Sequence, residues 1–355
     1  MVIPQISNLM LGVRFSSPAP IGEYMIDPTT QGILEQINKN TVLHRNSFNS
    51  CIGDRGYFAT IVEMASGPLI ATTTDGVGSK VEHLIKHEMY DVIGKDCVAM
   101  NINDLLCVGA NPVGFQNHIT TSKQEQSIIP EVMSGIAEYC VDSWTLLTGG
   151  ETEILNETKF HISGSAFGTV DEKIDGTSVE PGDVIIGLES NGLHANGWTA
   201  VSIAAPSLLK RENLTATKLY SEDIHPLRSR VTPTAIVNIT GGGFRNLERI
   251  PKNVQYNINY KITQDVFQTL EDRYSHKECF THFNMGIGMI VIVRLKDVDI
   301  ALEQMKDTVI LGEVSKADNP KVIVNGIEIY SGVVKSYEVA SKKTDTYSPI
   351  NLIDN

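Results

Sequence analysis

The sequence predicts an α/β (α+β) protein of two domains, on three observations. Apolar, β-branched runs alternate with helical repeats through the first half of the chain. A turn cluster, Val179-Glu180-Pro181-Gly182-Asp183, then interrupts the pattern. Each half runs strand, glycine turn, helix, and 355 residues are enough for two cores of ordinary size.

In chain order, the polar, mixed N-terminal segment contains one expected helix, Thr29–Asn40. Tyr57–Met64 and Leu69–Thr74 read as a hairpin-like pair of strands around the Gly67-Pro68 turn. Val92–Val108 carries apolar residues at helical spacing, and Gly109 and Pro112 stop it. Val113–Thr121 alternates as a strand, and Gln126–Cys140 returns to the helical period. Trp144–Thr148 reads as a short strand ending at Gly149-Gly150, and Phe160–Val170 as the next, with helices on one face of the sheet. The second half opens with strand Val184–Leu188 and a helix from Trp198, with Thr232–Asn238 as a further helix. Strand Met289–Val293, helix Val298–Met305 and strand Val309–Val314 follow. Asn325-Gly326 turns Lys321–Val324 into Ile327–Tyr330 as a hairpin. The expected domains are residues 1–175 and 176–345, with 346–355 as a tail.

A formal net charge of −13 leaves no basic field for nucleic acid, although a local set of donors can still bind a small anion. No apolar run reaches bilayer-spanning length, and the N-terminus lacks a basic region followed by an apolar core. The five cysteines are odd in number and show no CxxC pair, as for free thiols in a reducing cytosol. The expectation is a soluble cytoplasmic protein that binds neither nucleic acid nor membrane.

Four features are candidates for chemistry. Thr74-Asp75-Gly76-Val77-Gly78-Ser79-Lys80 closes a strand with a carboxylate, bare backbone and a cation. Polyphosphate with a divalent metal needs Asp for the metal, Gly for close approach and Lys for charge. The same residues also suit an ordinary strand-to-helix turn. Asp104, inside a helix, and Glu151, after Gly149-Gly150, add two more acids in this half. Together with Asp75 they make a hard oxygen set suited to Mg²⁺. Taken singly, Asp104 equally suits a salt bridge to Lys95, and Glu151 a solvated turn. Ser190-Asn191-Gly192-Leu193-His194-Ala195-Asn196-Gly197 offers His194 for proton transfer and Asn191 and Asn196 for orientation, or else a turn with a capping His. The Gly241-Gly242-Gly243 run suits either a phosphate nest or a flexible loop. In Phe283-Asn284-Met285-Gly286-Ile287-Gly288-Met289 the glycines read as close-packing positions rather than a dinucleotide fingerprint.

These segments resemble, in this order, the aminoimidazole ribonucleotide synthetase (phosphoribosylformylglycinamidine cyclo-ligase) family. The match includes Val98 to Asn101, Asn103-Asp104-Leu105, Gly149-Gly150-Glu151-Thr152, Pro181-Gly182-Asp183 and Ile239 to Gly243, and spans Leu69 to Val324. The resemblance implies a homodimer joined through the N-terminal sheets, and ATP and Mg²⁺ as cofactors. It implies Asp75, Asp104 and Glu151 at metal and phosphates, with Gly76, Gly78, Lys80 and Gly150 beside the nucleotide. It assigns Asn191, His194, Gly241, Gly242 and Gly243 to a ribonucleotide substrate, with His194, Asn191 and Lys80 as catalytic residues. The implied reaction phosphorylates the formyl oxygen of formylglycinamidine ribonucleotide and then closes the imidazole ring. The chain departs from the family at Gly53-Asp54-Arg55-Gly56, where a glycine-rich loop is usual, and at Glu153–Asn156, where a longer loop is usual. A divergent small-molecule kinase of the same superfamily and a non-catalytic nucleotide-binding paralogue stand as alternatives.

Overall fold

The structure, a computed structural model, describes residues 49–52, 57–64 and 67–329, with side chains described for residues 57–63 and 67–329. The expected helix Thr29–Asn40, the Gly53–Gly56 stretch and the tail lie outside the described residues.

The N-terminal half contains β1 (Asn49–Ile52), β2 (Thr60–Met64), β3 (Leu69–Gly76), α1 (Lys80–Lys86) and α2 (Tyr90–Cys107). It continues with β4 (Ala110–Ser122), α3 (Ile129–Asp142), β5 (Leu146–Leu155) and β6 (His161–Val170). Its strands form one sheet in the order β1-β2-β3-β6-β4-β5, antiparallel except for the β4–β5 pair that α3 connects.

The C-terminal half contains β7 (Val184–Glu189), α4 (Trp198–Ala204), α5 (Ser221–Arg230), β8 (Ala235–Asn238), β9 (Val254–Ile258), α6 (Asp265–Glu271) and α7 (His276–His282). Then come β10 (Ile287–Val293), α8 (Val298–Gln304), β11 (Thr308–Lys316), β12 (Lys321–Val324) and β13 (Ile327–Ile329). Its sheet order is β13-β12-β9-β11-β7-β10-β8. Every residue of β10 is buried, as its unbroken apolar run requires.

Helix α2 joins the halves. From Asp96 to Cys107 every residue is buried, because β3, β4, β6 and α3 cover one side while β8 and α5 cover the other. Its crossing with α3 is close: a Cβ on Gly94 would collide with the Val132 carbonyl, and one on Gly135 with the Asp91 carbonyl. The C-terminal carbonyls beyond α2 are held from the other half, where Arg228 donates to Gly109 O at 2.5 Å and Ala110 O at 3.1 Å.

Two expectations need correction. Thr232–Asn238 is not helical: Ala235–Asn238 is strand β8, paired with β10 from Ala235↔Ile292 to Asn238↔Met289. Pro233 and the β-branched Ile236 and Val237 oppose a helix there. Nor does the strand after Trp144 stop at the glycines. β5 continues to Leu155, drawn on by parallel pairing that carries it as far as Ser122 of β4. The thiols of Cys97, Cys107, Cys140 and Cys279 are free and buried, as packing residues.

Candidate active site at the seam between the halves

Asp75 stands next to last in β3, directly across from Gly164 of β6. Its Oδ1 accepts from the Gly76 amide at 2.8 Å, and its carbonyl accepts from Asn101 Nδ2 of α2 at 3.2 Å. Asn101 is fully buried, and its Oδ1 has no hydrogen-bond partner. The chain then turns through Gly78, at φ +72°, into α1. Strand, glycine turn and helix follow as the sequence predicts.

The three acids do not gather in one chain. Asp75, Gly164, Asn117 and Gly150 form a single row across β3, β6, β4 and β5. Three strand spacings, roughly 14 Å, therefore separate Asp75 from Gly150. Glu151 is the next residue, and the strand alternation turns it to the opposite face. Asp104 faces the other half, where its Oδ1 accepts from Asn238 Nδ2 at 2.8 Å. Lys95, the alternative partner for Asp104, pairs instead with Asp91 and Glu138. Among the described residues no three His, Cys, Asp or Glu side chains are grouped to hold a metal. Within one chain, sheet register and pleat thus separate Glu151 from Asp75.

Lys80 also departs from expectation. Its Nζ lies 2.7 Å from Asp96 Oδ2, neither side chain has any exposure, and it donates to Thr215 O at 2.6 Å. Burial pushes the ammonium pKa down and the Asp96 carboxylate pushes it back up. In the chain without ligands this cation is committed to a buried pair within the N-terminal half and reaches the other half only through Thr215 O.

Thr215–Tyr220 runs through this seam as an irregular strap outside both sheets. Asp96 Oδ1 accepts from Thr217 N at 2.7 Å and Thr217 Oγ1 at 2.8 Å. Asn103 donates to Lys218 O at 2.9 Å and accepts from the Tyr220 amide at 3.2 Å. On the substrate-motif side Asn191 Nδ2 donates to Ala216 O at 2.9 Å, and Thr215 Oγ1 donates to Asn191 O at 2.8 Å.

His194 is buried in left-handed backbone at φ +61°. Its Nε2 accepts from the Lys218 amide at 3.4 Å, so the neutral ring carries its proton on Nδ1. Burial, helped by the charges of Lys80 and Lys218, pulls its pKa down to about 3. Burial thus favours the neutral imidazole in the chain without ligands. Its ring rests beside Gly288, where a Cβ would collide with the Tyr220 hydroxyl and lie 2.5 Å from His194 Cε1. Close packing is thus the use of this glycine, as read from the sequence. Gly241 is exposed, Gly242 has φ +136° and Gly243 φ +53°, and a Cβ on Gly241 would lie 3.0 Å from Asn196 Oδ1. Asn196 Nδ2 also reaches Met100 Sδ of α2 at 3.7 Å, so the triple-glycine loop and the Asn191–Gly197 block border the same helix.

Sequence reasoning missed Asp96, Thr217 and Asn238, and it named Asn103 without its partners Lys218 and Tyr220. The available signal was a mostly apolar helical stretch, Asp96–Cys107, that carries Asp96, Asn101, Asn103 and Asp104, all of them buried. A cavity of about 310 Å³ lined by Tyr57, Ile61, Val108, Ile174, Arg249 and Pro251 involves none of the motif residues. The motif side chains and their partners, not that hollow, mark the site.

Comparison with known proteins gives the same picture for both halves. Residues 56–170 match the family model "AIR synthase related protein, N-terminal domain", and residues 180–325 match the corresponding C-terminal domain. The phosphoribosylformylglycinamidine cyclo-ligase of Streptococcus sanguinis (strain SK36) is 33% identical over 324 residues, covering 82% of this chain and 94% of that one. The enzyme of the same name from Streptococcus pneumoniae serotype 4 is 32% identical over the same shares. Among solved structures, AaThiL complexed with AMPPCP and TMP superposes with a TM-score of 0.62 at 15% identity, covering 86% of this chain and 97% of that one. Hydrogenase maturation protein HypE in complex with ATP gives 0.58 at 15%, covering 75% and 85%. At these identities the two structures speak for the fold alone. With both of its halves matched and close relatives along most of its length, the chain belongs to the family of AIR synthase related proteins.

Proposed function

We propose that this protein catalyses the ATP-dependent ring closure of formylglycinamidine ribonucleotide to aminoimidazole ribonucleotide. The observation that carries this reading is 33% identity to a phosphoribosylformylglycinamidine cyclo-ligase along 82% of the chain, across both domains. ATP phosphorylates the formyl oxygen, the neighbouring nitrogen attacks that carbon, and phosphate leaves with the oxygen. The protein supplies orientation and charge neutralisation.

In this reading Asp75, Gly76, Gly78 and Asp104 face the nucleotide, while Asn191, Gly241, Gly242 and Gly243 face the ribonucleotide; Gly150 and Glu151, three strands away along the sheet, stand outside that set. Mg²⁺ suits the oxygen donors of Asp75 and Asp104, and the unpartnered Asn101 Oδ1 beside Asp75 is a further oxygen of the right kind. When bound, the ion neutralises phosphate charge. Lys80 and His194 act here by holding the strap rather than by touching phosphate or moving protons. The active species is a homodimer in the cytoplasm. In support of the dimer, β5 is an open edge of its sheet among the described residues, and Leu146, Leu147, Ile154 and Leu155 on it are exposed. No helix among the described residues is long and apolar enough to cross a membrane.

Pure protein with Mg-ATP is expected to release ADP and phosphate only when formylglycinamidine ribonucleotide is added, with aminoimidazole ribonucleotide as product. The likeness in fold to AaThiL, a structure that holds AMPPCP and TMP, favours a small-molecule kinase as the second reading. A stable phosphorylated product in the same assay would select it.

A further inference from the structure

We propose that Asp96 and Asn103 are positioning residues, which set the substrate-side loop against the nucleotide-side motif through the strap Thr215–Tyr220. The proposal rests on the ring-closure reading above for its substrate. The two residues are seven apart on α2, hence on one face two turns from each other. Between them they bind the strap at Thr217, Lys218 and Tyr220, using three backbone groups and one hydroxyl. Backbone groups that a strand would satisfy in a ladder are satisfied here by side chains from the other half. The strap's opposite side is bound to Asn191 through Thr215 and Ala216, and to His194 through the Lys218 amide. Lys80, at the end of the Asp75 motif, completes the connection through Asp96 and Thr215 O. A continuous run of directional contacts thus links Lys80 to Asn191.

Apolar packing alone would hold the halves together without fixing their register. Buried hydrogen bonds to an ionised acceptor tolerate little sliding, because a displaced partner leaves a desolvated group unpaired. Displacing a reacting group by about 1 Å can cost up to about a hundredfold in rate. Asp96 and Asn103 touch no reacting atom in this scheme, and their effect passes through Asn191.

The experiment compares Thr217→Val, which removes the hydroxyl bound by Asp96, with Thr217→Ser, which keeps it, and adds Asn103→Ala. For each, kcat and KM for formylglycinamidine ribonucleotide, Kd for a non-hydrolysable ATP analogue, and hydrogen exchange of the 215–220 segment are measured. Thr217→Val and Asn103→Ala should lower kcat/KM for the ribonucleotide about tenfold and leave the nucleotide Kd within about twofold. Exchange of the strap should quicken, and Thr217→Ser should behave as wild type. Faster exchange with unchanged kcat/KM overturns the proposal, as does an equal loss in nucleotide Kd, which would mark a general loss of structure. Absence of wild-type turnover would count against the ring-closure reading itself. The exchange data then judge the strap separately, and unaltered exchange in both Thr217→Val and Asn103→Ala overturns it.

Discussion

Lys80 Nζ and Asp96 Oδ2 meet at 2.7 Å in a seam where neither side chain is exposed, one carried by each of two successive helices of the N-terminal half. The pair places a lysine from a phosphate-like motif in a structural position. Its partner also accepts two hydrogen bonds from Thr217. An ion pair so fully desolvated gains little over an apolar pair, yet losing one member is costly.

Lys80→Met is therefore expected to destabilise the fold by about 3–5 kcal/mol, since it leaves the Asp96 carboxylate buried without its counter-charge. The double variant Lys80→Met/Asp96→Asn removes both charges and keeps an acceptor for Thr217, so it should recover most of that loss. Urea unfolding of the single and double variants measures the coupling directly. Unchanged stability in Lys80→Met, together with lost ATP affinity, would return Lys80 to the phosphates.

Asp104 meets Asn238 across the same seam, 2.8 Å from Oδ1 to Nδ2. Asp104→Asn retains an oxygen for that bond while removing the charge. Stability should then change by no more than about 1 kcal/mol, whereas Mg-ATP affinity should fall at least about tenfold through loss of a carboxylate ligand. Asp104→Leu removes both and should additionally cost about 1–3 kcal/mol, because Asn238 is left with an unmet buried donor. Equal nucleotide affinity in wild type and Asp104→Asn would restrict Asp104 to a structural part.

Gly288→Ala tests the packing under the substrate motif. Its methyl would force the Tyr220 hydroxyl and the His194 ring outward, with an expected cost of about 1–3 kcal/mol for overpacking. Ribonucleotide KM should rise more than nucleotide KM, since both displaced rings adjoin the strap rather than the Asp75 turn. Equal changes in the two constants would contradict that division.

What was legible in the sequence followed local physics. Period-2 and helical patterns located β3, β4, β6, β7, β10, α2 and the β12–β13 hairpin, since each strand or helix there buries an apolar face that its own residues announce. Ser221–Arg230 escaped because Pro226 disguises its period, although the helix forms. Ala235–Asn238 was misread because cross-strand pairing with β10 decides its state. At the site, the Asp75 turn and the Asn191 block were legible as chemistry on a chain. Whether Asp75, Asp104 and Glu151 converge depends on strand order and pleat, which no local pattern encodes. The roles of Lys80 and His194 depend on partners sixteen and twenty-four positions away, Asp96 and Lys218.

β5 offers a test of assembly. Among the described residues it pairs only with β4, which leaves its other edge open, and the neighbouring Trp144 is also exposed. A charge on an apolar edge opposes strand pairing with a second copy. Leu147→Lys is expected to shift the protein from dimer to monomer in light scattering and to lower turnover, with monomer stability changed by less than about 1 kcal/mol because Leu147 is 39% exposed. An unchanged mass would move the dimer contact elsewhere or remove it.

Acid should loosen the C-terminal half through its histidines. The pKa of His194 is about 3 in the folded chain, against about 6.5 for an unfolded His. The pKa values of His225 and His282 are also lowered, with burial as the largest cause in each. A lowered folded pKa means that the unfolded chain takes up the proton first. The stabilisation from keeping His194 neutral is thus fully present above about pH 6.5 and is lost progressively down to about pH 3. Across that window the contribution of His194 alone approaches about 1.4 kcal/mol per pH unit. His194→Gln retains an acceptor for the Lys218 amide and does not titrate. Urea midpoints between pH 7 and pH 4 should therefore fall less steeply in His194→Gln than in wild type. Parallel slopes would mean that His194 is protonated in the native state well above pH 3, which would restore it as a proton carrier.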